Sequence, residues 1–263
     1  MKYFVKFLPE PHNLGSIGNT IRLNTLLKCD YLSEGRRDRE GTFEFFAPEG
    51  TQLLNFKPFG GRVVEMNGLT IEGDGKGNAT TTVRPGGYIK EEGEFNGYLF
   101  CLTRLDQEIA SVDFGKQFGN DVDSFYFFEE SMLSNFCDTL GLSLKDNLTV
   151  NDFLPESQAQ IRDLGGMGNL RMLFFRGDVV YVDDIPAVDY KSANYTDDII
   201  KRKFFKLKKF TQNREFRILL LPAILNDKTG LKEILHIKDE NKVIPFPRSE
   251  FIKHMKDFPS IRI

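Results

Sequence analysis

Residues Gly97-Tyr98-Leu99-Phe100-Cys101-Leu102-Thr103 form a strongly apolar run of strand length, entered through a glycine. A short continuous apolar run fits a strand covered on both faces, so this segment is expected to be central and buried. Upstream, Gly60 to Gly97 is dense in glycine, with Arg62-Val63-Val64-Glu65-Met66, Leu69-Thr70-Ile71-Glu72 and Thr80-Thr81-Thr82-Val83-Arg84 between the glycines. Short β-branched runs between glycine turns read as a meander of antiparallel strands. Downstream, Phe128, Met132, Leu133, Phe136 and Leu140 fall close to i, i+4, i+8 spacing. That spacing predicts a helix over Phe125–Leu140, with Gly141 as its cap. A shorter helix is expected over Glu156–Leu164.

Strand patterns then return. Leu170 to Phe175 is expected to turn at Gly177 into Val179–Asp183, followed by strands at Phe204–Phe210, Glu215–Leu221 and Ile234–Ile237. Tyr3 to Leu8 reads as a first strand and Arg248–Phe258 as a last amphipathic helix. No repeat or low-complexity linker interrupts the chain. The expectation is one α+β domain over 1–263, a mixed or antiparallel sheet with inserted helices.

Composition narrows the class. The chain has 263 residues, 40% hydrophobic and 28% charged, which fits a folded chain rather than a disordered, collagen-like or coiled-coil one. With 25 Phe and no Trp, the core must be Phe-rich. No run of about 18 uncharged apolar residues exists, so no membrane span is expected. The N-terminus is broken by Lys2, Lys6 and Pro9, and reads as a strand rather than a signal peptide. Cys29, Cys101 and Cys137 stand apart without CxxC spacing, which points to a reducing cytosol and against a disulfide scaffold. A net charge of −3 gives no overall electrostatic footprint for nucleic acid, although a local patch stays open.

Three segments carry candidate chemistry. Arg22 lies within Ile21-Arg22-Leu23-Asn24-Thr25-Leu26, where a buried guanidinium needs a carboxylate or phosphate partner, and where the other reading is a structural ion pair or an exposed strand face. The charged run Arg36–Glu40 reads as a solvated loop. Glu215 and Arg217 share one strand face at the mouth of the apolar run Ile218–Leu221. Just before them, Lys201–Lys209 alternates basic and apolar residues in part. It reads as a groove for a polyanion or, more commonly, a charged edge that resists aggregation. Asp178 and Asp183-Asp184 sit near the ends of the expected hairpin, as metal ligands together with Glu215 or as turn formers. Gly73-Asp74-Gly75-Lys76-Gly77 reads as a turn.

Taken in order, these segments resemble an uncharacterised family of bacterial and phage proteins. Its arginine-bearing first strand matches Ile21–Leu26, its acidic run Asp38-Arg39-Glu40-Gly41, and its central strand Tyr98–Thr103. A "V-x-Y-x-D" strand matches Val179–Asp183, and the ending matches Phe204–Ile218, with Asn213 where that family carries a first Glu. The layout is similar to the split sheet of mono-ADP-ribosyltransferases, especially the DNA- and RNA-modifying toxins. The resemblance implies NAD as substrate, with Arg22 on its pyrophosphate, Thr103 supporting the nicotinamide ribose and Glu215 as the catalytic carboxylate. It also implies an aromatic such as Tyr31 or Phe46 stacked on nicotinamide. Asn213 in place of a Glu points away from arginine as acceptor and towards nucleic acid or another protein side chain. A toxin or phage-defence role with a neutralising antitoxin follows from the same likeness. Two rivals remain at this level: a nuclease holding magnesium on Asp183, Asp184 and Glu215, and a binding module without catalysis.

Overall fold

A computed structural model describes residues 2–9, 20–30, 41–54, 62–105, 115–189, 195–226 and 231–246. Tyr31, the run 36–40 and the stretch 248–258 lie outside these residues. In chain order the elements are β1 (Tyr3–Leu8), β2 (Thr20–Thr25), α1 (Leu26–Asp30), β3 (Thr42–Ala47), β4 (Gln52–Leu54), β5 (Arg62–Gly73), β6 (Ala79–Glu94) and β7 (Tyr98–Leu105). There follow β8 (Ser124–Glu129), α2 (Leu133–Asn147), α3 (Pro155–Asp163), β9 (Leu170–Asp178), β10 (Val180–Val182), β11 (Val188–Asp189) and α4 (Tyr195–Arg202). The last described are β12 (Phe205–Leu207), β13 (Glu215–Asn226), β14 (Leu231–Ile234) and β15 (Lys242–Pro245). The class is α+β, with predominantly antiparallel sheets.

The main sheet runs β14-β13-β7-β1-β8, with β9 also paired to β13 and β2 to β7. As its continuous apolar run predicts, β7 is central. Tyr98, Phe100 and Leu102 face one core, and Leu99 and Cys101 face another. One long edge of β7 is occupied by β13 from Tyr98 to Thr103, with Glu215↔Thr103 and Leu220↔Tyr98 as the end pairs. Its other edge is shared. β1 takes Thr103 to Leu105, while β2 takes only Tyr98 and Leu99. The sheet therefore splits beside Phe100–Leu102.

The second sheet holds β11-β3-β6-β4 with β5 on β6. Here the expected meander of short strands is one long hairpin. Gly68 and Gly87 do not end strands but sit at a register shift between Asn67 and Leu69. Gly68 has φ +62°, and a Cβ there would come within 2.8 Å of Gly87 Cα, so the bulge needs glycine. The turn at 73–77 is as read: the Asp74 carboxylate accepts from the Lys76 and Asn78 amides.

Four other expectations change. Phe125–Phe128 belongs to β8, because Tyr126 and Phe128 alternate onto the core and pair with β1. The helix begins only at Leu133 and continues past Gly141 to Asn147. Gly141 is no cap; it lies under Phe174 of β9, whose Cζ would stand 1.9 Å from an added Cβ. Gly141→Ala should displace the partly exposed Phe174 ring at a cost offset by the about 1 kcal/mol that alanine gains over glycine within a helix, leaving stability changed by less than about 1 kcal/mol in urea unfolding. No hairpin forms at Gly177: β9 runs to Asp178, and β10 pairs in parallel with β12. Finally, the strand expected over Phe204–Phe210 is only Phe205–Leu207, after which a 3₁₀ turn spans Lys208–Asn213. Among the described residues no helix is long and apolar enough to cross a membrane.

Candidate functional site

Glu215 opens β13 directly opposite Thr103 of β7, and Arg217 lies opposite Cys101. Strand alternation puts Thr103 and Cys101 on one face of the sheet with Glu215 and Arg217. On β2, Asn24 lies opposite Leu99, so Arg22, two residues before it, lies on that same face. The tertiary structure thus brings Arg22, Thr103 and Glu215 to one side of the split. Arg22 is exposed, which is the open-strand-face reading of this arginine and not the buried one: the strand's apolar residues Ile21 and Leu23 point into the core.

The setting of Glu215 is not that of a carboxylate open at a strand mouth. The segment from α4 to β13 folds over this face. Glu215 Oε2 accepts from Lys206 Nζ at 2.9 Å, and Oε1 accepts from Arg217 Nε at 2.6 Å. Side-chain exposure is 10% for Glu215, 9% for Lys206 and 1% for Arg217. The Glu215 amide donates to the Tyr181 hydroxyl at 2.9 Å. Burial works to raise the Glu215 pKa, but Arg217 and then Lys206 outweigh it and hold the carboxyl down to about 2. The group is a carboxylate at any physiological pH.

Arg217 continues the network by donating to the Lys203 carbonyl. Lys203 in turn donates to the Thr42 carbonyl at 3.0 Å, with its ammonium near the Phe43 and Phe95 rings. Lys203 and Lys206 are buried while Lys201, Lys208 and Lys209 are exposed, so the basic run is a solvated edge only in part. Its two buried lysines tie the two sheets together around one carboxylate. Arg214, just before Glu215, adopts the left-handed conformation (φ 44°, ψ 46°), rare for a side chain with a Cβ. Its carbonyl accepts from the Arg104 amide, which pins this sharp entry into β13.

The remaining candidates fall elsewhere. Asp183 is exposed and paired with Lys208 at 2.7 Å, while Asp178 pairs with Arg104 on the opposite face of the sheet from Glu215. Among the described residues no group of three His, Cys, Asp or Glu side chains is arranged to hold a metal ion. Phe46 stacks on Tyr88 in the second sheet, and Tyr31 lies outside the described residues. A groove of about 330 Å³ between α2 and β9, lined by Asp138, Lys145 and Phe174, also lies on the far face of the main sheet. Comparison of the chain with protein-family models, with curated proteins and with solved structures finds no match.

Two residues near the split escape a reading by motif. Lys6 appears in the sequence only as a charge interrupting an apolar strand, and Lys206 only as one member of a basic run. The available signal was a lone lysine at the end of Tyr3-Phe4-Val5, where an ordinary strand would continue its apolar pattern.

Proposed function

We propose that the chain is a mono-ADP-ribosyltransferase that moves ADP-ribose from NAD to a macromolecular acceptor. The observation that supports this most directly is the pairing of Glu215 with Thr103 beside the split, with Arg22 on the same sheet face. In this reading Arg22 offers its planar fork to the NAD pyrophosphate. The Thr103 hydroxyl orients the nicotinamide ribose. A carboxylate has about four acceptor positions, and Lys206 and Arg217 account for two, so Glu215 retains capacity for a ribose hydroxyl.

The nicotinamide–ribose bond breaks with its electron pair going to nicotinamide, and the acceptor's lone pair forms the new bond at C1′. The acceptor's proton passes to solvent. Positive charge develops on the ribose in between, as in glycoside hydrolysis, and a fixed carboxylate on the ribose hydroxyl stabilises it. Asn213 two residues before Glu215 favours nucleic acid, or a side chain other than arginine, as acceptor. A toxin or phage-defence role with an antitoxin partner remains part of the same proposal.

Incubating the purified protein with labelled NAD and with RNA, DNA or cell protein tests the reading. Release of nicotinamide together with label on one acceptor is the expected result; no NAD consumption with any acceptor overturns it. Arg22→Lys should weaken NAD binding by about 1.5–3 kcal/mol, because a point charge cannot reproduce two parallel hydrogen bonds. Titration calorimetry measures that loss, and since Arg22 is exposed the melting temperature should not change.

A second reading has one specific observation behind it. The two ion pairs of Glu215 also suit a purely structural carboxylate, as in a binding module without catalysis. That module would bind its partner with Glu215 replaced, provided the fold survived.

A further inference from the structure

Between Thr103, served by β1, and Leu99, served by β2, the outward edge of β7 has no strand beside it among the described residues. The carbonyl that falls in this opening is that of Cys101, and it accepts from Lys6 Nζ at 2.8 Å. Lys6 reaches there because β1 leaves β7 after Val5 and continues along β8 alone. Its ammonium also sits 4.6 Å from the centre of the Phe100 ring.

An ammonium carries three donors. Among the described residues Lys6 Nζ has one hydrogen-bond acceptor, the Cys101 carbonyl, and no carboxylate within ion-pair distance. Burial pushes its pKa below the ordinary lysine value, with Cys101, Glu215 and Cys29 acting in the opposite direction. A desolvated cation without a counter-ion is costly and is retained where something anionic pairs with it. Glu215, the carboxylate that acts on it from a distance, already has one ion pair to each of its oxygens. Strand alternation roots Lys6 on the Phe4, Tyr126 and Phe100 face, opposite Glu215, so the opening offers a cation and spare donors in the gap at the Cys101 carbonyl, between the two faces of the sheet.

We infer that Lys6 is an anion-contacting residue of the split, giving up the Cys101 carbonyl for a phosphate oxygen of a dinucleotide laid across the opening. This rests on the NAD reading for the identity of the dinucleotide. The cation and the opening themselves require only a phosphate-bearing ligand. Lys6 makes no bond to the reacting ribose and is a positioning residue.

The test separates binding from turnover. Titration calorimetry would measure ADP-ribose, inorganic pyrophosphate and nicotinamide riboside on the parent, Lys6→Met and Lys6→Arg proteins, at two salt concentrations. The expected result is at least about a tenfold loss of ADP-ribose and pyrophosphate affinity in Lys6→Met, with a shallower salt dependence. Nicotinamide riboside, which has no phosphate, should bind all three alike, and Lys6→Arg should recover part of the loss. Because Lys6→Met also orphans the Cys101 carbonyl, a readout on the parent protein accompanies it. ADP-ribose should protect Lys6 from acetylation by an amine-reactive reagent, read by peptide mass spectrometry. Equal ADP-ribose affinity in parent and Lys6→Met, or no protection of Lys6, overturns the assignment while leaving NAD turnover to stand by its own assay. Phosphate-dependent binding through Lys6 in a protein that never consumes NAD would retain the assignment and remove the transferase.

Discussion

Replacing Glu215 by glutamine is expected to lower NAD turnover by about 10²–10³-fold, the usual loss when one preorganised electrostatic contact to a charged transition state is removed. The same change is expected to cost about 3–5 kcal/mol of stability, because Lys206 and Arg217 would keep their burial and lose the Glu215 charge that each is paired with. Turnover must therefore be compared per folded molecule, well below the variant's melting temperature. NAD affinity should fall less than rate, since the interaction strengthens as the ribose becomes cationic. A folded variant that consumes NAD at the parent rate removes Glu215 from the chemistry.

The pH dependence gives an independent check. Glu215 has a folded pKa of about 2 against an ordinary value of 4.5. A carboxyl depressed in this way contributes stability that is fully present above the unfolded value and lost as pH falls through the folded one. The stability gap between parent and Glu215→Gln should be constant from neutral pH to about 5, then narrow between about 4.5 and 2. Urea unfolding across that range measures it. A gap that did not narrow would mean the carboxylate is not held by its two cations.

Arg217→Met should destabilise by about 3–5 kcal/mol, as much as Glu215→Gln. It removes one of the two cations on Glu215 and also the donor to the Lys203 carbonyl, at a side chain only 1% exposed. Combined with Glu215→Gln, the loss should be smaller than the sum of the two, because each single change already breaks the shared ion pair. A strictly additive double-mutant cycle would show that the 2.6 Å contact contributes nothing of its own. Lys206 then remains as the cation that sets the carboxylate.

Much of the framework was legible in the residues. The unbroken apolar run at Tyr98–Thr103 announced a strand covered on both faces, and β7 is that strand. The alternation of Glu215 and Arg217 placed both on one face, which their ion pair bears out. The boundaries failed where two periodicities overlap. Phe125–Leu140 has helical spacing as a whole, yet Phe125–Phe128 pairs with β1, because adjacent phenylalanines serve a strand as well as a helix.

What local sequence by itself determined was the strand or helix character of β1, β7, β9, β13 and α2 and the faces on which their apolar residues fall, since those follow from periods of two and 3.6. Which residues meet was decided by tertiary structure alone. Nothing in the spacing of Lys201–Lys209 says that Lys203 and Lys206 turn inward, because burial of a cation depends on a carboxylate or carbonyl supplied by another strand. Likewise Lys6 and Cys101 lie 95 positions apart, and their contact exists only because β1 and β2 part on the same edge of β7. A broken ladder leaves a carbonyl to be satisfied, and only the assembled sheet shows where it breaks.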